Sequence, residues 1–154
     1  MTLAIGDPIP AVTLLDADGA TIDLKALKGA PLVVYFYPKA DTPGCTVEAQ
    51  DFTRLAPEFA HLSAQVLAVS RDAPAKLCKF RDKYGLTVRL ASDEDGKVCD
   101  AFGTWVEKQN YGRTYMGIER STFLFGADGK LAREWRKIRV KGHADAVLEA
   151  AKAL

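Results

Sequence analysis

One cysteine of this chain stands where the sequence predicts the start of a helix. Cys45 follows Thr42 and Pro43, a pair typical of a helix N-cap and first helical residue. The first N–H groups of a helix have no partner within it, and the helix dipole places partial positive charge there. Such a position stabilises a thiolate. The pattern therefore favours a nucleophilic cysteine over the alternative, a small apolar residue at a strand–helix junction.

The residues before this helix would position it. Residues 32–37, Leu-Val-Val-Tyr-Phe-Tyr, form an apolar run that is too short to span a membrane and is typical of a buried strand. Pro38 ends the run. Cys45 would then lie just beyond the carboxyl end of a core strand, where the functional residues of such sheets tend to lie.

The composition sets bounds on the protein class. With 154 residues, 48% hydrophobic and 27% charged, the chain predicts one globular domain over residues 1–154. A net charge of +1 gives no electrostatic signature of nucleic-acid binding, and no apolar run approaches membrane length. We therefore expect neither nucleic acid nor a membrane as a partner.

The cysteine count favours a reducing compartment. Three cysteines are an odd and small number for a secreted disulfide scaffold, and no signal peptide is visible at the N-terminus. We therefore expect a cytoplasmic protein. The cysteines are far apart in sequence, and His61 and His143 stand alone, so we expect neither a metal nor another cofactor.

The order of elements predicts an α/β fold with a central mixed sheet, helices on both faces and an N-terminal hairpin. Pro57 predicts a break near Ala56 in the helix after Thr42, and Gly85 predicts the end of a second helix. Residues 108–117 are expected to be a loop because Gly112 and Gly117 interrupt them. The other expected strands cover residues 12–15, 21–24, 66–70, 88–90, 120–125 and 131–135, and the last helix covers residues 144–154.

The segment Pro38-Lys39-Ala40-Asp41-Thr42-Pro43-Gly44-Cys45 fits the Pro-x-x-x-Thr-x-x-Cys motif of peroxiredoxins. The surrounding sequence, from Tyr35 to Phe52, resembles the peroxiredoxin Q branch, also called bacterioferritin comigratory protein. The resemblance continues through residues 90–93, 98–103 and 117–123, so it covers nearly the full length. It implies a thioredoxin-like fold. The tetrad Cys45-Thr46-Val47-Glu48 lacks the second cysteine of Cys-x-x-Cys, which disfavours a dithiol oxidoreductase.

The resemblance implies a role for five residues. Cys45 would be the peroxidatic thiolate, which attacks the O–O bond and becomes a sulfenic acid. Thr42 would hold the peroxide through its hydroxyl; the alternative is that it only caps the helix. Pro38 would shield the thiolate from water; the alternative is that it only ends the strand. Arg120 would favour the thiolate and polarise the peroxide, although by itself it looks like a surface cation. The amides of Gly44 and Cys45 would also donate to the peroxide, whereas the spacing of Glu48 assigns it no role.

The chain departs from the family where the sulfenic acid is resolved. Many members of the branch carry a resolving cysteine five residues after the peroxidatic one, but Gln50 stands there. Other members carry it on the helix after the next strand, which favours Cys78, although the family position falls nearer Arg81. A Cys45–Cys78 disulfide would require local unwinding of a helix. Cys99 and an external thiol are the alternatives to Cys78. Of these, Cys99 is expected instead to be a buried, inert thiol.

The predicted function is that of a monomeric thiol peroxidase. It would reduce hydrogen peroxide and organic hydroperoxides, and thioredoxin or a similar dithiol would recycle it. Two alternatives stay open. One is a one-cysteine peroxidase that uses an external thiol, and the other is a redox-regulated binding or chaperone-like protein with weak turnover.

Overall fold

A computed structural model describes residues 3–154 of the chain. The strands are β1 (Thr13–Asp16), β2 (Thr21–Asp23), β3 (Leu32–Phe36), β4 (Gln65–Ser70), β5 (Arg89–Ser92), β6 (Trp105–Asn110), β7 (Arg113–Ile118), β8 (Ser121–Phe125) and β9 (Leu131–Trp135). The helices are α1 (Pro43–Arg54), α2 (Ala56–His61), α3 (Pro74–Tyr84), α4 (Lys97–Phe102) and α5 (His143–Lys152), and residues Leu24–Leu27 form a 3-10 helix.

A seven-stranded mixed sheet forms the centre of the molecule. Its strand order is β2-β1-β5-β4-β3-β8-β9. The three central strands β5, β4 and β3 are parallel, and the outer strands pair antiparallel with their neighbours. The predicted α/β class, mixed sheet and N-terminal β1–β2 hairpin are confirmed.

Strand β3 separates two hydrophobic cores. All five of its residues are fully buried, and successive side chains point to opposite faces of the sheet. Val33 and Tyr35 face the core that carries α1, α2, α3 and α5, whereas Val34 and Phe36 face the core that carries α4. Each buried side chain of this size contributes about 1.5–3 kcal/mol to folding. Helices therefore cover both faces, as expected, and most of them lie on one face.

Two predicted helix boundaries are confirmed. Helix α1 ends at Arg54 and α2 begins at Ala56, because Pro57 lacks the N–H that would continue the first helix. Helix α3 ends at Tyr84, and Gly85 caps it in the left-handed conformation with φ 62°. None of the helices in residues 3–154 is long and apolar enough to cross a membrane.

The expectation that residues 108–117 form a loop is wrong. They belong to a hairpin in which β6 and β7 form a separate two-stranded sheet. Tyr111 and Gly112 make its two-residue turn, and both have positive φ, 51° and 75°. Positive φ at both positions is the geometry that matches the twist of paired strands. The strands are largely exposed, so they lack the apolar alternation that would have marked them in the sequence.

Candidate active site

The loop after β3 delivers Cys45 to the first turn of α1. Thr42 has extended backbone angles at the N-cap, and Pro43 is the first helical residue. The first helical hydrogen bond runs from the Thr46 amide to the Thr42 carbonyl, at 2.9 Å. The amides of Gly44 and Cys45 precede it and have no acceptor within residues 3–154. The Cys45 thiol therefore lies among free N–H groups at the positive end of the helix.

Arg120 supplies a second positive charge to Cys45. Its Nη2 atom lies 3.3 Å from the Cys45 sulfur. Arg120 immediately precedes β8, and β8 pairs antiparallel with β3 so that Ser121 lies opposite Phe36. This register places Arg120 beside the end of β3, where the loop to α1 begins. Two elements far apart in sequence thus meet at the sulfur, and the predicted proximity of Arg120 to Cys45 holds in the structure.

Glu48 holds the other side of the guanidinium. Its Oε1 atom accepts a hydrogen bond of 2.6 Å from Nη1 of Arg120, and the residue is only 1% exposed. Burial raises the pKa of Glu48 to about 7, although the charge of Arg120 opposes that shift. The sequence assigned no role to Glu48. The available signal in the sequence was that Glu48 follows Cys45 by three residues, because residues three apart share one face of a helix.

Thr42 occupies the N-cap through its backbone alone. Its hydroxyl does not cap the helix but donates a hydrogen bond of 2.8 Å to the carbonyl of Lys39. The hydroxyl hydrogen is therefore engaged, and the oxygen has lone pairs free to accept a hydrogen bond from a ligand. Chemically, this leaves an acceptor at Thr42 beside donors at Arg120 and at the first turn of α1.

Gly44 contacts Arg120, whereas Pro38 lines a neighbouring groove. A Cβ atom on Gly44 would lie 3.3 Å from Nη2 of Arg120, so glycine permits the close approach of the guanidinium. Pro38 is exposed and lines a groove next to the site. Cys45 itself is 2% exposed. The shielding role of Pro38 remains a prediction.

The candidate resolving thiol belongs to the same face of the sheet. Cys78 is half-buried on α3 and packs against the core that contains Cys45. Its sulfur accepts a hydrogen bond from Nη2 of Arg81 at 3.3 Å and lies 3.8 Å from an Asp82 carboxylate oxygen. Cys45, Cys78 and Cys99 are all free thiols. A bond between Cys45 and Cys78 would therefore require one of them to move.

Cys99 lies on the opposite face of the sheet, fully buried in the other core. Burial raises the pKa of its thiol well above the usual range, and Asp93 raises it further. A buried thiol that stays protonated is a poor nucleophile. This environment agrees with the expectation of an inert residue.

His143, expected near a helix cap, is the first residue of α5 and is buried behind the site. Its Nε2 atom lies 2.8 Å from the hydroxyl oxygen of Thr122. Burial, with a smaller contribution from Arg120, lowers the pKa of His143 to about 4. Within residues 3–154, no three His, Cys, Asp or Glu side chains are grouped to hold a metal ion.

Comparisons with known proteins agree with this site. Residues 5–134 match the model of the AhpC/TSA family. The chain is 45% identical to peroxiredoxin Bcp of Bacillus subtilis over 152 residues, which cover 99% of this chain and 97% of the relative.

Solved structures show the same fold. Bacterioferritin comigratory protein of Xanthomonas campestris superposes with a TM-score of 0.89 at 45% identity, covering 96% of this chain and 98% of the other. A cysteine-to-serine mutant of PrxQ from Xylella fastidiosa superposes with a TM-score of 0.94 at 38% identity, covering 99% and 98%. The chain therefore belongs to the AhpC/TSA family, as a peroxiredoxin of the Bcp or Q type, a peroxidase that acts on hydroperoxides.

Proposed function

We propose that Cys45 is the peroxidatic residue and that Thr42, Arg120 and the amides of Gly44 and Cys45 bind the peroxide. The observation that carries this proposal is the 3.3 Å contact between Nη2 of Arg120 and the Cys45 sulfur. Together with the first turn of α1, this contact surrounds the sulfur with positive charge and N–H donors. Such an environment stabilises a thiolate and the negative charge that develops on a departing oxygen.

The first step consumes the hydroperoxide. The Cys45 thiolate attacks the terminal oxygen of ROOH, so that an S–O bond forms while the O–O bond breaks. Sulfur loses two electrons to the peroxide, Cys45 becomes a sulfenic acid, and the alkoxide leaves as ROH after it takes up a proton. Thr42 accepts the hydrogen bond of the bound O–H group, and Arg120 donates to the peroxide oxygens. For hydrogen peroxide the leaving product is water.

The second step regenerates the enzyme. The Cys78 thiolate attacks the sulfenic sulfur of Cys45, hydroxide leaves as water after it takes up a proton, and a disulfide forms. Thioredoxin or a similar dithiol then reduces this disulfide by thiol–disulfide exchange. The position of Cys78 on the same face as Cys45 supports this order, and the position of Cys99 on the other face disfavours that residue for the same role. Because the proposed disulfide lies within one chain, we propose a monomeric enzyme. The small, odd number of cysteines supports the proposal that it is cytoplasmic.

The proposed substrates are hydrogen peroxide and organic hydroperoxides. The Xanthomonas relative was studied for alkyl peroxide reduction, which supports an organic substrate here. The relevant test is steady-state consumption of hydrogen peroxide and cumene hydroperoxide with a thioredoxin system. Cys45→Ser should lower the rate by at least about 10⁴-fold. If it does not, Cys45 is not the nucleophile, and if the wild type turns over only weakly, a redox-regulated binding protein is favoured.

A second experiment identifies the resolving thiol. Mass spectrometry of the peroxide-treated protein should find a peptide pair linked through Cys45 and Cys78. Cys78→Ser should abolish that pair and turnover with thioredoxin, while the matched variant Cys99→Ser should keep both. If Cys78→Ser turns over normally with thioredoxin, the one-cysteine mechanism with an external thiol is correct instead.

A further inference from the structure

A groove of about 500 Å³ opens beside the active site, between the loop that follows β3 and the β6–β7 hairpin. Pro38, which begins the loop from β3 to Cys45, lines it together with the apolar surfaces of Trp105, Met116 and Ile118. Met116 is 50% exposed. The groove therefore offers an apolar surface that reaches Pro38, at the start of the loop that leads to Thr42 and Cys45. We call it the hairpin groove.

The hairpin groove carries unmatched positive charge. Lys39, Arg71 and Lys108 line it, and Glu94 is the one carboxylate among its lining residues. The Arg71 guanidinium lies 4.4 Å from the centre of the Trp105 ring, and its Nη2 atom donates to the Glu94 carbonyl rather than to the carboxylate. Within residues 3–154 neither lysine forms an ion pair. Three cations over an apolar surface are complementary to a ligand with an apolar body and a negative charge.

Lys108 links this charge to the reacting atoms. It is half-buried on β6, opposite Tyr115 of β7, and its stem packs so close to Gly117 that a Cβ there would lie 3.3 Å from it. The amine is thus attached to a paired strand and not to a free loop. Burial, and then Arg120, lower its pKa, while Cys45 and Glu119 oppose the shift. Lys108 therefore lies within electrostatic range of both Arg120 and Cys45.

From this geometry we infer that the hairpin groove selects organic hydroperoxides that carry a carboxylate, and that Lys108 is the residue that recognises the negative charge. The inference rests on the proposed peroxidase site at Cys45. The peroxide group lies at Thr42 and Arg120, the apolar body passes Pro38 onto Trp105, and the carboxylate lies near Lys108. Lys108 takes no part in the electron transfer, so it determines specificity and is not a catalytic residue.

A pair of substrates that differ only in charge tests this inference. Cumene hydroperoxide is neutral, and its derivative with a para-carboxylate carries the negative charge on the same apolar body. The ratio of kcat/KM for the charged substrate to that for the neutral one should exceed 1 in the wild type. Lys108→Gln should lower this ratio about 2- to 5-fold, the range expected for one partly exposed ion pair, and added salt should lower the wild-type ratio.

Two control variants make the result specific. Lys108→Arg keeps the charge and should keep the ratio. Lys25→Gln removes an equal charge from the exposed 3-10 helix, outside the groove, and should also leave the ratio unchanged. A wild-type ratio of 1 or less, or an equal effect of Lys108→Gln on both substrates, would overturn the inference while leaving the peroxidase intact. Failure of the proposed function is a different result, namely no Cys45-dependent consumption of either substrate.

Discussion

Arg120 donates to two acceptors through separate nitrogens. Nη1 donates to Glu48 at 2.6 Å and Nη2 donates to the Cys45 sulfur at 3.3 Å. A guanidinium can bridge two acceptors because its donors form a rigid, planar fork, whereas an ammonium group is a single point of charge. The orientation of Arg120 is therefore set by Glu48, and its position relative to the sulfur follows from that orientation.

Arg120→Lys tests whether this geometry matters beyond charge. We expect kcat/KM for hydrogen peroxide to fall about 10²-fold, because lysine cannot keep both contacts at once. Stopped-flow measurement of Cys45 oxidation gives the rate directly. Arg136→Lys is the matched control, since Arg136 donates to the carbonyls of Phe102 and Gly103 away from the sulfur. An unchanged rate in Arg120→Lys would mean that positive charge alone is sufficient.

The sequence was more informative about Cys45 than about Glu48. A Thr-Pro helix start specifies where the first turn lies, so the environment of Cys45 follows from local rules. The role of Glu48 depends on the register of β8 against β3, which brings Arg120 to it from 72 residues away in the chain. No local pattern contains that pairing, and Arg120 was singled out only through the family resemblance.

At the scale of elements, the first turn of α1 carries a glycine because a side chain there would press against Arg120. Its backbone conformation does not require glycine. The Gly44 backbone is helical, yet a Cβ atom there would lie 3.3 Å from Nη2 of Arg120. The guanidinium would have to shift by a few tenths of an ångström to make room, which would disturb its contacts with Glu48 and Cys45. The close approach of helix and guanidinium thus depends on the absence of one methyl group.

Gly44→Ala separates this effect from stability. Alanine has the higher helix propensity, by up to about 1 kcal/mol, so the melting temperature should not fall. The displaced guanidinium should nevertheless lower kcat/KM for hydrogen peroxide about 10-fold. Val47→Ala, at an exposed position of the same helix, should leave the rate unchanged. Full activity in Gly44→Ala would show that the Arg120 guanidinium can shift away from the methyl group without loss of function.

The β6–β7 hairpin shows which elements the sequence did not reveal. The buried strands β3 and β8 are largely apolar and fully buried, and their type follows from composition alone. Most residues of β6 and β7 are at least partly exposed, and their turn is Tyr111-Gly112 instead of the common Asn-Gly. The available signal was a two-residue separation between segments that contain aromatic and β-branched residues.

At the scale of the whole molecule, two buried groups give opposite pH dependences of stability. The pKa of Glu48 is raised from 4.5 to about 7, so the folded state keeps a proton that the unfolded state loses, and the free energy of unfolding falls as pH rises through this interval. The pKa of His143 is lowered from 6.5 to about 4, so the unfolded state binds the extra proton, and the free energy of unfolding rises with pH between those values. Each group changes stability by up to about 3 kcal/mol. Their effects oppose each other over most of the weakly acidic range.

Glu48→Gln should expose the contribution of His143. The free energy of unfolding of this variant, relative to wild type, should increase as pH rises from 4.5 to about 7 and then level off. Urea unfolding at several pH values measures it, with Glu58→Gln, on the surface of α2, as the control that should show little such trend. A constant difference between Glu48→Gln and wild type over this interval would mean that Glu48 titrates normally in the folded protein.

Asp41 joins the loop between β3 and α1 to the helix that carries Cys78. It adopts a positive φ of 62°, its Oδ2 accepts from Lys83 at 2.8 Å, and its Oδ1 accepts from the Tyr84 hydroxyl at 2.5 Å. Asp41 directly precedes Thr42, while Lys83 and Tyr84 belong to the last turn of α3. If α3 unwinds to bring Cys78 to Cys45, the anchor of the loop is lost in the same movement. The disulfide form would then bind no second hydroperoxide until the dithiol donor has reduced it and the loop has regained its contacts with α3.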